Sequence, residues 1–257
     1  REKYGTSVVP LIVPIGAGPK FTGVVNVLEN KAWEGSGKAL KEVPVPDSMS
    51  AAIEEAMAEM TEAAAEADDE LLEKYFEEGE LTPEEVRKGF RAGMKSGKIA
   101  PVVCCSALTG VGIAALMDMM VAYTNSPKDT VAVGVDPKSG EEAKRVCNND
   151  EPFSAFVFKT IADPFVGKLS LVRVMSGSLT PATALYNASS EKAEKSGGLY
   201  IQRGKKQTNV QVLNAGDIGA LSKLQNTATG DTLCDPNQLI RYAAIEYPVP
   251  SFSKAVY

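Results

Sequence analysis

The sequence has 257 residues, of which 44% are hydrophobic and 23% charged, with a formal net charge of −6. That is the composition of a globular protein long enough for two domains. It contains no histidine, which excludes Ser-His-Asp and Cys-His catalysis and the usual zinc sites.

The charge is unevenly shared. Residues 1–149 hold 16 Lys and Arg against 24 Asp and Glu, whereas residues 150–257 hold 11 against 9. Attraction to nucleic acid therefore belongs to the second part and is modest. The chain starts at Arg1 and stops at Tyr257 within a strand-like run, so both ends read as cuts in a longer protein. No apolar run approaches membrane-spanning length and no signal peptide is visible, which predicts a soluble, cytoplasmic protein without a membrane partner.

Val8 to Ile15 reads as a strand, with Pro10 and Pro14 arguing for a sheet edge or for strand ends. Gly16-Ala17-Gly18-Pro19 is a turn and Phe21 to Leu28 a second strand; without a following helix these glycines do not make a dinucleotide loop. Gly35-Ser36-Gly37-Lys38 is not a phosphate loop either, because Ala32 and Ala39 stand where its first glycine and its Ser or Thr belong. Residues 47–78 predict one helix, with Asp47 or Ser48 as N-cap. Its stripe of Met49, Ile53, Met57, Met60, Ala64, Ala67, Leu71 and Tyr75 packs in the core, and its outer face is acidic. That face is either solvated or a dock for a basic partner. Thr82-Pro83-Glu84-Glu85 opens another helix with a capping box, and Gly97 ends it.

Val102 to Cys105 is a short apolar run, as expected of a strand buried on both faces of a parallel sheet. Ser106-Ala107-Leu108-Thr109-Gly110 turns the chain, and from Val111 the apolar stripe Ile113, Leu116, Met117, Met120, Val121 marks a helix. Strand, turn and helix form half of a βαβ unit, and open α/β sheets bind ligands at the carboxyl ends of their strands. Ser106–Leu108 is therefore the best small-molecule candidate in the chain, or else a plain strand-to-helix connection. The four cysteines, Cys104, Cys105, Cys147 and Cys234, form no CxxC pair and read as reduced core or loop residues.

Asp136 to Asp150 is polar, with Pro137, Gly140 and a charged cluster, and reads as a linker or an exposed hairpin; a domain boundary falls within 125–150. Beyond it come short β-branched and aromatic runs separated by turns at Asp163-Pro164, Ser176-Gly177, Ser196–Gly198, Asn214–Asp217 and Thr229–Asp231. Regularly spaced short strands predict a small β-barrel or sandwich.

These stretches combine into a resemblance. Asp150-Glu-Pro-Phe-Ser-Ala-Phe-Val-Phe-Lys159, Asp163 to Gly177, Ala215-Gly-Asp-Ile-Gly219 and Thr229-Gly-Asp-Thr-Leu-Cys-Asp235 resemble the second domain of bacterial elongation factor G. Phe21-Thr-Gly-Val-Val25, Ala63 to Tyr75 and Glu80-Leu-Thr-Pro-Glu-Glu85 are similar to the insert in that family's GTPase domain, and Cys105-Ser106-Ala107-Leu108 to its last guanine-recognition motif. The resemblance implies a truncated α/β P-loop-type GTPase domain over 1–124 with a helical insert at about 20–98, a linker over 125–149, an all-β translation-factor barrel over 150–237, and the first strand of a third domain over 238–257. It implies that Ser106 and Ala107 reach a guanine through backbone N–H groups with Leu108 beside the ring. The implied cofactor of the parent is GTP or GDP with Mg²⁺, with none held by the fragment itself. Small-subunit rRNA is the partner implied for the barrel and a stalk protein for the acidic insert, on a ribosome-bound monomer that moves tRNA and mRNA.

The sequence also departs from the family. It has no phosphate-binding GxxxxGK loop, no Asp-x-x-Gly metal loop and no Asn-Lys-x-Asp motif, which are expected upstream of Arg1. Without them no phosphoryl transfer is expected, and no residue is assigned a catalytic or metal-binding role. Tyr200 to Thr208 replaces a histidine-containing family segment with a basic tip of Arg203, Lys205 and Lys206, either an RNA-phosphate contact or a solvated turn. An elongation-factor-G-like paralogue, a ribosome-protection or recycling GTPase, and a non-catalytic ribosome- or protein-binding module stay open beside the translocase.

Overall fold

In the computed structural model, which describes residues 3–163 and 167–255, the chain divides after Thr124 into two units. The turn at Pro164 and the terminal residue Tyr257 lie outside the described residues.

The first unit is built on β1 (Val8–Ile15), β2 (Gly23–Asn26), β3 (Lys31–Glu34) and β4 (Lys41–Val43), followed by α1 (Ser50–Glu66), α2 (Asp69–Glu78) and α3 (Pro83–Ser96). β5 (Ala100–Val103) and α4 (Ile113–Tyr123) complete it. The sheet order is β4-β3-β2-β1-β5, antiparallel except for the parallel pair β1–β5. It is thus mixed, not parallel. β1 is an interior strand despite its prolines. The missing N–H of Pro10 is accommodated by a register shift between Pro10 and Ile12 against β5, where a bulge removes the need for a ladder bond.

The helix expected over 47–78 is three pieces. A 3₁₀ turn at Asp47–Met49 leads into α1, and α1 stops because Asp68 turns its carboxylate onto the amides of Glu70 and Leu71, capping α2. A short acidic side chain offering the backbone an alternative partner defeats a stripe that is otherwise continuous. The capping box of Thr82 and Glu85 forms as expected, and Gly97 closes α3 in the left-handed conformation. α1 and α3 approach closely: a Cβ on Gly89 would sit 2.4 Å from the Ala64 carbonyl oxygen. Val9, Leu11, Ile12, Met60, Ala64, Phe90, Met119 and Tyr123 form the core between sheet and helices. Phe90 is fully buried and meets Tyr123 edge-on, ring centroids 5.3 Å apart.

Two expectations fail around β5. It is an edge strand, with Val102 41% exposed, because no further strand of this unit lies beyond it among the described residues. On α4 the buried seam is Leu116, Met119 and Tyr123, whereas Met117, Met120 and Val121 face outward. The helix is apolar nearly all round, so spacing alone could not fix its rotation; the Phe90–Tyr123 contact does.

The second unit begins with a capped 3₁₀ turn at Pro127–Asp129 and a hairpin of β6 (Val131–Val135) and β7 (Glu142–Val146), the hairpin alternative for this polar stretch. β8 (Ser154–Asp163), β9 (Gly167–Ser176), β10 (Leu185–Asn187), β11 (Lys192–Glu194), β12 (Gly198–Arg203), β13 (Lys206–Asn209), β14 (Ile218–Ser222) and β15 (Thr232–Cys234) form one antiparallel sheet, ordered β11-β10-β15-β8-β9-β14-β12-β13. Ala155, Val157, Val172, Val174, Leu185, Leu199, Leu221 and Leu233 share its buried face with Leu179 and Leu213. The described residues of this unit include no α-helix to cover that face, so the sheet buries it against itself, as a barrel does. On the outside, Ile240 and Tyr242 join Ala132 and Ala143 of the hairpin and Phe156, Met175 and Cys234 of the barrel. The strand expected over 238–257 is absent among the described residues. Only Arg241 bridges to Val135, and Pro248 and Pro250 follow without a pairing partner.

Candidate functional site

The Ser106–Leu108 segment is placed by the strand before it and the helix after it. Beyond β5 the Cys104 amide still donates to Ile12 of β1 (3.2 Å), and the chain then closes a tight loop. The Ser106 N–H donates to the Val111 carbonyl at 2.8 Å, Gly110 N–H donates to the Ser106 carbonyl at 2.8 Å, and the Ser106 hydroxyl accepts from Thr109 N–H at 3.3 Å. Gly112 enters α4 at φ +78°, and a Cβ there would stand 2.6 Å from the Cys104 carbonyl oxygen, so this position requires glycine for both conformation and space.

The loop therefore separates its three candidate residues. Ser106 is half-buried and its amide is engaged internally; Ala107 and Leu108 are exposed, Leu108 to 96%, and their amides make no hydrogen bond among the described residues. Two consecutive N–H groups without an internal partner, beside an exposed leucine, can hold a carbonyl oxygen of a planar ring and cover part of its face. They offer neither a charge for phosphate nor a ligand for a metal. The neighbouring thiol of Cys104 is pushed up from its ordinary pKa by burial and then by Cys105, which leaves it a poor nucleophile. The rejected Gly35–Lys38 run abuts this loop, a Cβ on Gly110 reaching within 3.2 Å of Ser36. It forms a 3₁₀ turn leading into β4, not a helix N-terminus.

Arg203, Lys205 and Lys206 lie in the second unit, apart from that loop in sequence and in unit. They crown the β12–β13 hairpin, where Arg203 pairs with Lys206 across a Gly204–Lys205 turn. All three are exposed, and no ion pair to them occurs among the described residues. The hairpin is anchored by Gln207, whose amide donates to Asp163 at 2.8 Å. The acidic insert is pinned internally by Lys74, which reaches Glu85 at 2.8 Å and Glu78 at 3.5 Å. That ammonium, with the amide and hydroxyl of Thr82, holds the Glu85 carboxyl down at about 2. Sequence reasoning missed this triad because Lys74 and Glu85 sit on different helices.

No group of three or more His, Cys, Asp or Glu among the described residues is placed to hold a metal ion. No helix among them is long and apolar enough to cross a membrane.

Comparison with known proteins bears on both units. Residues 152–236 match the family model described as elongation factor G domain 2. The fold as a whole is similar to a crystal structure of a protein from Thermus thermophilus, with a TM-score of 0.73 and 26% identity over 94% of this chain. The alignment spans 34% of that protein, so the chain has about a third of its length. The barrel of the second unit is accordingly similar, over residues 152–236, to elongation factor G domain 2.

Proposed function

We propose that this chain is part of a ribosome-dependent translational GTPase that uses GTP to move tRNA and mRNA, acting in the cytoplasm. The observation that carries this reading is the domain 2 match of residues 152–236 within a structural likeness that covers 94% of the chain. In this reading the amides of Ala107 and Leu108 receive the guanine carbonyl, and the internally bonded Ser106 holds the loop in shape. The fit is to the base alone: nothing in the loop matches a phosphate or Mg²⁺, and both would be held by the phosphate and metal motifs that this sequence lacks. When bound, Mg²⁺ would neutralise phosphate charge. This chain by itself does not hydrolyse GTP, since phosphoryl transfer is mostly positioning and charge neutralisation. The barrel meets small-subunit rRNA through Arg203, Lys205 and Lys206, and the acidic helices of the insert meet a stalk protein.

A fluorescent-GDP titration of this chain beside a version extended upstream tests the reading. Binding by the longer chain alone supports Ala107–Leu108 as one wall of a split guanine pocket. Binding by neither favours a ribosome-binding module without turnover, and tight binding by this chain alone overturns the assignment of the pocket.

A further inference from the structure

The outer face of the barrel carries a cleft of about 540 Å³, walled by Val133 of β6, Phe156 and Phe158 of β8, Arg173 and Met175 of β9, and Ile218 of β14. The strand alternation dictates this lining. Val172 and Val174 are fully buried on the inner face, so Arg173 and Met175 point out. The register sets Arg173 directly opposite Phe156 on one side and Ile218 on the other. The wall is thus aliphatic and aromatic around a single cation. Arg173 is half-buried, and among the described residues its guanidinium has neither an acidic partner nor a carbonyl to donate to. At the rim, Val133 and Ile218 remain 50% and 59% exposed.

A cleft of this size with an apolar lining and one oriented polar group has the make-up of a small-ligand site. A guanidinium partly withdrawn from water without a counter-charge favours an anion, and its planar fork matches a carboxylate through two parallel hydrogen bonds. One cation suits one negative charge, whereas a nucleic-acid backbone requires several.

We propose that this cleft binds an apolar carboxylate, with its aryl or alkyl body on Phe156, Phe158, Met175 and Ile218 and its carboxylate on Arg173. The ligand is a free organic acid or an acidic side chain flanked by apolar residues in a peptide. This site is independent of the nucleotide loop, so its failure leaves the proposed function untouched, and the reverse.

The test is amide NMR of the 257-residue chain titrated with phenylacetate, with phenethylamine as the charge-reversed probe and acetyl-Phe-Glu-Phe-amide as the peptide probe. Saturable shifts confined to the cleft strands, given by phenylacetate and not by phenethylamine, are expected. Arg173→Gln is expected to weaken binding about tenfold and Arg173→Lys less, as a point charge replaces a fork. Tighter binding of the peptide identifies a peptide ligand, and tighter binding of phenylacetate a free acid. Equal binding of the amine, an unchanged affinity in Arg173→Gln with its spectrum otherwise intact, or shifts scattered over the surface would overturn the proposal.

Discussion

The two units finish their cores in different ways. The barrel wraps one antiparallel sheet around a shared core, and Ala155, Val172, Leu179, Leu213, Leu221 and Leu233 are all fully buried. The first unit packs helices on a mixed sheet and leaves apolar groups outside: Val102 on its edge strand, and Met117, Met120 and Val121 at 61%, 51% and 87% exposure on α4. An antiparallel sheet completes its burial by pairing near neighbours, whereas a parallel edge such as β5 must be covered by something distant in sequence. Candidate chemistry follows the same division. The unbonded amides of Ala107 and Leu108 follow the edge strand β5, while the barrel offers side chains on its rim and outer face.

This contrast predicts separable effects. Phe90→Ala is expected to cost the first unit about 3–5 kcal/mol, and Leu221→Ala the barrel about 2–5 kcal/mol. Hydrogen exchange read by mass spectrometry should show each change loosening its own unit; loosening of both by either would break the comparison. Gly89→Ala, whose methyl would press on the Ala64 carbonyl, should cost about 1–3 kcal/mol and spare the barrel. Thr82→Ala removes the cap of α3 and should cost about 1 kcal/mol in urea unfolding of the first unit.

The same cap predicts a pH dependence. Glu85 titrates at about 2 in the folded chain against an ordinary 4.5. Its contribution is therefore complete above pH 4.5 and is lost as pH falls from there toward 2. Glu85→Gln should flatten that part of the profile in the first unit and leave the barrel's unchanged. The smallest effect on stability belongs to the basic hairpin. Changing Arg203, Lys205 and Lys206 to Gln should shift barrel stability by no more than about 0.5 kcal/mol. If the hairpin meets RNA, the slope of log affinity against log salt should fall by about 2–3.

What could be read from the sequence follows the locality of each determinant. The capping box of Thr82 and Glu85, the glycine stop at Gly97 and the turns at Ser176-Gly177, Asn214–Asp217 and Thr229–Asp231 depend on residues a few positions apart, and they form as read. The interior placement of β1, the rotation of α4 and the packed hairpin over 131–146 depend on partners far along the chain. Pro10 in isolation argues for an edge; only its register shift against β5 shows how an interior strand tolerates it. The break at Asp68 was local and still hidden, because a capping aspartate within an acidic helix looks like another solvated charge. At Ser106–Leu108 the sequence points to the loop, but that Ser106 is the amide taken up internally depends on the Ser106–Val111 bond, which no spacing encodes.

The end of the barrel is held by an ordered row of hydroxyls. Ser176 donates to the Pro152 carbonyl at 2.7 Å, so in the connected row Ser154 gives its proton to Ser176 (2.6 Å) and Tyr242 gives its own to Ser154 (2.7 Å). The Tyr242 amide also donates to Thr232, and Arg241 exchanges two backbone bonds with Val135. A pull on the chain beyond Tyr242 is therefore shared at once among β8, β9, β15 and the β6–β7 hairpin, and no single strand can be peeled away first. In mechanical terms the barrel has a load-spreading anchor at the point where the chain leaves it.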